Sequence, residues 1–175
     1  MKNLKETARG VQVSFTNFVA IRFLIAMVIM ILTSGLVFIL IPEVDESRRL
    51  YGVVVGLIGL VFSSWVLLTI ISVISKGRVL LEIEDGYLIN RKHRVALQEI
   101  AHVQFGWHSK KKSGMVFKDL IITTVRNEEY YFRYYNLLSG QAIATFIEQY
   151  MIPHAAADYR KSWDSNSKGV SKKLI

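Results

Sequence analysis

Histidines, paired acids and clustered bases are the residues of this chain that could do chemistry, and most of their spacings argue against it. The four histidines are His93, His102, His108 and His154. His102 and His108 share parity on an extended strand, but six residues hold them about 20 Å apart, too far to ligate one metal ion without a bend. They read as solvent-facing strand histidines. No His-x-x-x-His pair occurs, and the chain has no cysteine, which excludes thiolate metal sites, cysteine catalysis and disulfides. It also lacks a glycine-rich phosphate loop and a nucleophile elbow. Glu82 and Glu84 share one strand face and read as solvated, and Glu128/Glu129 sit beside a turn. The sequence predicts no catalytic residue, no cofactor and no metal, and hence a protein that is not an enzyme.

The basic clusters carry more information. Arg91-Lys92-His93-Arg94 and Lys110-Lys111-Lys112 fall in predicted loops, with Trp107 ahead of the second and Phe117 after it. Each Lys or Arg held near an anionic leaflet contributes about 1 kcal/mol, and salt screens it. Arg91, Lys92, Arg94, Trp107, Lys110, Lys111 and Lys112 are therefore the candidate contacts to anionic lipid. The plainer alternative is ordinary positive charge that supports orientation and solubility. No recognition helix or RNA-binding signature accompanies the charge, so nucleic acid is not an expected partner.

The elements that must position these clusters begin with two apolar runs. Phe23–Ile41 contains 19 uncharged residues and Leu50–Ser75 contains 26, against a net charge of +8 for the whole chain. A helix of roughly 20 apolar residues crosses the hydrocarbon core of a bilayer, so both runs are predicted transmembrane helices. The first run is too long for a cleaved signal peptide. Residues 42–49 (PEVDESRR) form a short external loop started by Pro42. Lys2, Lys5, Arg9 and Arg22 precede the first run, and Lys76 and Arg78 follow the second. Counting these bases places both termini in the cytoplasm and the protein in the cell membrane, the inner one where there are two. Neither run holds an internal charge or histidine, which argues against a proton or ion pathway. Gly52, Gly56, Gly59 and Ser63 form small-xxx-small pairs on the second run. Such residues let helix backbones approach closely, either against the first run near Ser34 and Gly35 or in a homodimer.

Beyond Lys76 the hydropathy alternates. Val79–Glu84 and Tyr87–Asn90 read as a hairpin around Asp85-Gly86. In 101–108 (AHVQFGWH), Val103, Phe105 and Trp107 are expected to face a core and His102, Gln104 and His108 to face out. Strands follow at 116–125 and 129–135. Ser139 then caps a helix whose Ile143, Phe146, Ile147, Tyr150 and Met151 form one apolar stripe. Residues 153–175 are polar and basic and are expected to be a disordered tail. Ahead of the first run, Val11, Val13 and Phe15 alternate with polar residues, favouring a short strand at 11–15 over an interfacial helix. That strand could pair with an edge of the downstream sheet.

Spans at 23–41 and 50–75, a mainly-β domain at 76–152 and one final helix give the predicted architecture. At Gly86, Ile89, Leu97, Ile100 and Val103 the chain resembles bacterial pleckstrin-homology-like domains carried by small two-pass membrane proteins. The resemblance implies a seven-stranded, strongly bent sheet or small barrel closed by a helix, and no particular activity. The expected role is a non-enzymatic scaffold or adaptor whose module binds a protein partner or the anionic membrane surface. An immunity or envelope-stress protein acting through its hairpin, and an accessory subunit of a transporter, are the alternatives.

Overall fold

The computed structural model describes residues 3–40, 45–157 and 159. Residues 16–78 form one compact unit, and the described residues on either side of them form a second.

The first unit is a helical hairpin of α1 (Asn17–Leu40) and α2 (Glu46–Ser75). Both helices begin several residues before the uncharged runs: α1 takes in the apolar residues 18–21 ahead of Arg22, and α2 takes in the polar residues 46–49. Asp45 is the N-cap of α2, so the expected eight-residue loop is shorter; residues 41–44 lie outside the described part. Gly56, Gly59, Ser63, Val66, Ile70 and Val73 recur at alternating spacings of three and four, the period of a left-handed helical seam. Ser63, Val66, Ile70 and Val73 are buried. A Cβ on Gly56 would come within 3.0 Å of the Phe38 ring, and one on Gly59 within 2.5 Å of Ser34 Oγ. These glycines therefore pack against the first helix of the same chain, as one of the two sequence readings held. Ser34 takes part, but Gly35 faces open space. The outward faces expose large apolar residues throughout, among them Leu32, Ile39, Leu57 and Leu68.

The second unit is built from two antiparallel sheets. The first has the order β1 (Leu4–Thr7), β2 (Gly10–Ser14), β3 (Val79–Glu84), β4 (Tyr87–Ile89), β5 (Arg94–Ala96). The second has the order β6 (Ile100–Gly106), β7 (Asp119–Thr124), β8 (Glu129–Arg133). That makes eight strands among the described residues, against the seven implied by the resemblance; the two that the sequence does not mark are β1, whose LKET has no apolar alternation, and the three-residue β5. The expected strand at 11–15 is β2, and it pairs with β3 from Gly10↔Glu84 to Ser14↔Val79. Val11, Val13 and Phe15 are buried. Gly10 is required at this crossing, because a Cβ there would meet the Ile83 carbonyl oxygen. The unit is thus discontinuous in sequence and does not start at residue 76. Asp85 and Gly86 both adopt positive φ, 50° and 79°, as the two-residue turn between β3 and β4 requires.

The helix α3 (Gly140–Phe146) is capped as expected, with Ser139 Oγ accepting from the Ala142 amide at 3.1 Å. A π-helical turn at Ile147–Met151 follows. This wider winding moves the buried stripe on to Met151 and Ile152, so Tyr150 leaves it and its hydroxyl donates to Glu6 at 2.9 Å. The expectation of disorder from Pro153 fails at its start. Ile152–His154 forms a 3-10 turn, the Ala156 amide donates to the Ile100 carbonyl at 3.2 Å, and Ala155 and Tyr159 are buried. Two apolar residues behind a proline are too few to show a period. Residue 158 and residues 160–175 of the expected tail lie outside the described part.

Candidate functional site

The register of the first sheet locates one basic cluster. Ser14 pairs with Val79, Glu82 with Ile89, and Ile89 with Arg94. The β4–β5 corner at 90–93 therefore lies at the end of the sheet where β2 finishes and β3 begins, which is where the chain departs into the hairpin and returns from it. Asn90 builds the corner: its side-chain oxygen accepts from the Lys92 amide at 2.8 Å and the His93 amide at 2.7 Å. Arg94 folds back with its guanidinium 4.1 Å from the Tyr87 ring centre. Arg91 and Lys92 occupy the exposed tip of the corner.

His93 joins this corner to the second sheet. Its ring lies 5.8 Å from that of Tyr130 and 5.9 Å from that of Phe132, both on β8. The neighbouring residues of β8 meet the other cluster. Lys110 is ion-paired with Glu129, and Lys111 Nζ sits 3.5 Å from the centre of the Tyr131 ring. The Lys110 pairing holds the Glu129 carboxyl below its ordinary range. The hydrogen bond from Tyr131 to Glu129, aided by burial, pushes the Tyr131 phenol up to about 12. The two predicted clusters thus converge on β8, where two of the three lysines have partners within the unit. Trp107 does not join them. It is exposed beyond the Gly106↔Asp119 end of the second sheet, with Lys118 Nζ 4.2 Å from its ring centre.

Beneath the lysine loop lies a polar centre that the sequence reading missed. The Asp119 carboxylate is completely buried. His108 Nε2 lies 3.0 Å from its Oδ2, and Arg133 Nε donates to its Oδ1 at 2.9 Å. Arg133 also reaches Ser113 in the loop. The His108 amide donates to the Gly114 carbonyl at 3.1 Å, and a Cβ on Gly114 would overlap the His108 ring. The loop is therefore folded around the imidazole, and only 6% of the His108 side chain is exposed where a solvent-facing histidine was expected. Val103 is buried and His102 and Gln104 are exposed, as expected; the assignment fails further along, where Phe105 is exposed and Gly106, at φ 122°, turns the chain before Trp107 and His108. Trp107 lies outside the core. The available signal was Gly106 and Gly114 bracketing the histidine, together with an aspartate interrupting an otherwise apolar strand.

Among the described residues no group of three or more His, Asp or Glu is placed to hold a metal. A cavity of about 320 Å³ opens between the β1–β2 turn, Ile83, Leu97, Tyr150 and His154.

A mainly-β unit closed by a C-terminal helix and interrupted by a long apolar hairpin defines the class of protein. The chain belongs to a family of unknown function, DUF5381, whose model matches residues 9–173. No curated protein and no solved structure matches it.

Proposed function

We propose that this chain is a two-pass membrane protein with a non-enzymatic, pleckstrin-homology-like module, which its basic β4–β5 corner holds against the anionic cytoplasmic face of the membrane. The observation that carries the reading is the register around that corner. Arg91, Lys92 and Arg94 lie at the sheet end from which the chain passes into two helices long and apolar enough to cross a bilayer. Only Lys76–Arg78 separate α2 from β3, a tether of about 10 Å. The apolar outer faces of the hairpin support insertion, since exposing them to water is costly and lipid removes that cost. The β2–β3 pairing supports the topology: strands on either side of the hairpin can pair only if both ends of the hairpin lie on one side of the membrane. An excess of basic residues outside the hairpin loop favours the cytoplasm for that side. The module would serve as a scaffold or adaptor at the membrane surface.

The test uses the full chain in lipid nanodiscs. Amide exchange across residues 88–96 is expected to slow when anionic lipid replaces neutral lipid, and the effect should fade at high salt and on changing Arg91 and Lys92 to glutamine. Exchange that ignores lipid charge would contradict the reading.

A further inference from the structure

We infer that the β6–β7 crossover carries a second membrane contact, in which Trp107 and Met115 enter the headgroup–acyl boundary of an anionic bilayer beside Lys118; this rests on the membrane reading above. Trp107 is 65% exposed and Met115 63%. Trp107 and Met115 are brought together: the hydrogen bond from the His108 amide to the Gly114 carbonyl sets Gly114–Met115 beside Trp107–His108. The Lys118 ammonium rests on the Trp107 ring, and Lys112 is an exposed residue of the same loop.

The patch lies apart from the two clusters, at the opposite end of β8, where Arg133 pairs with Asp119 and Asp119 with Gly106. Contacts lead along β8 from the corner towards that end: His93 meets Tyr130, Lys110 and Lys111 meet Glu129 and Tyr131, and Ser113 meets Arg133. Because β8 ends its sheet, groups on both of its faces can present along one edge. A strip of bases and aromatic rings that starts at the hairpin-joined end and finishes in an exposed tryptophan suits a module lying flat on a charged interface. Tryptophan favours the headgroup region, and lysines beside it select anionic lipid. Charge complementarity thus favours anionic lipid over an uncharged apolar partner. The polar centre of Asp119, His108 and Arg133 keeps the crossover in this shape.

Trp107 can be observed alone in the full chain after Trp65→Phe and Trp163→Phe, in nanodiscs whose lipids carry brominated acyl chains. Its fluorescence is expected to be quenched in phosphatidylglycerol discs, much less in phosphatidylcholine discs, and less at high salt. Lys118→Gln should weaken the contact about fivefold, the effect of one lysine near an anionic leaflet. The companion chain with Trp107→Phe and Trp163→Phe reports Trp65 on α2. Quenching of Trp65 without quenching of Trp107 would overturn this inference, leave the anchor standing and give the patch to a protein partner. Absence of Trp65 quenching would remove the membrane reading and the inference with it.

Discussion

The hairpin and the β unit are both rich in apolar residues, and they deploy them in opposite ways. In the hairpin one half of the inner seam is made of small residues, Gly56, Gly59 and Ser63, the other half of Val66, Ile70 and Val73, and most of the large side chains point outward. In the β unit the large side chains, Leu81, Leu88, Phe117, Phe132, Phe146 and others, are fully buried and the surface is charged. The first pattern suits a solvent that is itself apolar, where close backbone packing holds helices together; the second suits water, where burial of area does. The comparison also shows how little chain joins the two. β2 and β3 are register neighbours although the whole hairpin lies between them in sequence.

That contrast can be broken most severely at β2. Deleting residues 3–15 removes Val11, Val13 and Phe15 from the core, at about 2 kcal/mol each. The resulting loss of about 6 kcal/mol approaches the stability of a typical domain. The β unit should lose its cooperative melting while the helical signal of the hairpin persists. A fragment beginning at Lys76 should fail in the same way, because it lacks β1 and β2.

Next in size is Asp119→Asn. It leaves Arg133 and His108 without their buried anion and should cost about 3–5 kcal/mol, read as a lower denaturation midpoint of the β unit only.

Alkaline pH should act more mildly. Burial, with Asp119 nearby, pushes the Tyr134 phenol up to about 12, and burial does the same for Tyr159. A folded-state value above the unfolded one means that the stabilisation is complete below pH about 10 and disappears as pH rises towards about 12. Tyr134→Phe should flatten its share of that loss in an alkaline unfolding titration. The smallest effect on the β unit is expected from Gly59→Leu, which collides with Ser34 in the hairpin seam. It should weaken association of the two helices and leave melting of the β unit unchanged.

The sequence made the parts governed by local period legible. The Asp85-Gly86 hairpin, the Ser139 cap and the β2 alternation each depend on a few adjacent residues, and each appears where it was expected. What escaped depends on distant partners or on breaks of parity. LKET carries no alternation, and only its pairing with β2 makes it β1. The faces of Trp107 and His108 were misassigned because a turn at Gly106 resets the count. Asp119 looked like an ordinary charge in a strand, since nothing local shows that His108 and Arg133 close over it. The basic clusters were found by composition alone, but their pairing with Glu129 and Tyr131 required the fold. Tyr150 was lost from its stripe to a π-helical turn that no spacing announced.

The central claim is that a membrane-crossing hairpin interrupts one folded unit, so the strands before and after it lie on the same side. The absence of native cysteine makes this directly testable. Single cysteines would be introduced as Lys5→Cys, Asp45→Cys and Lys112→Cys in the full chain, and intact cells treated with a membrane-impermeant maleimide. The account predicts labelling at position 45 only, with positions 5 and 112 becoming reactive together once the membrane is opened. Labelling of position 5 without position 112 in intact cells, or of position 112 without position 5, would contradict it.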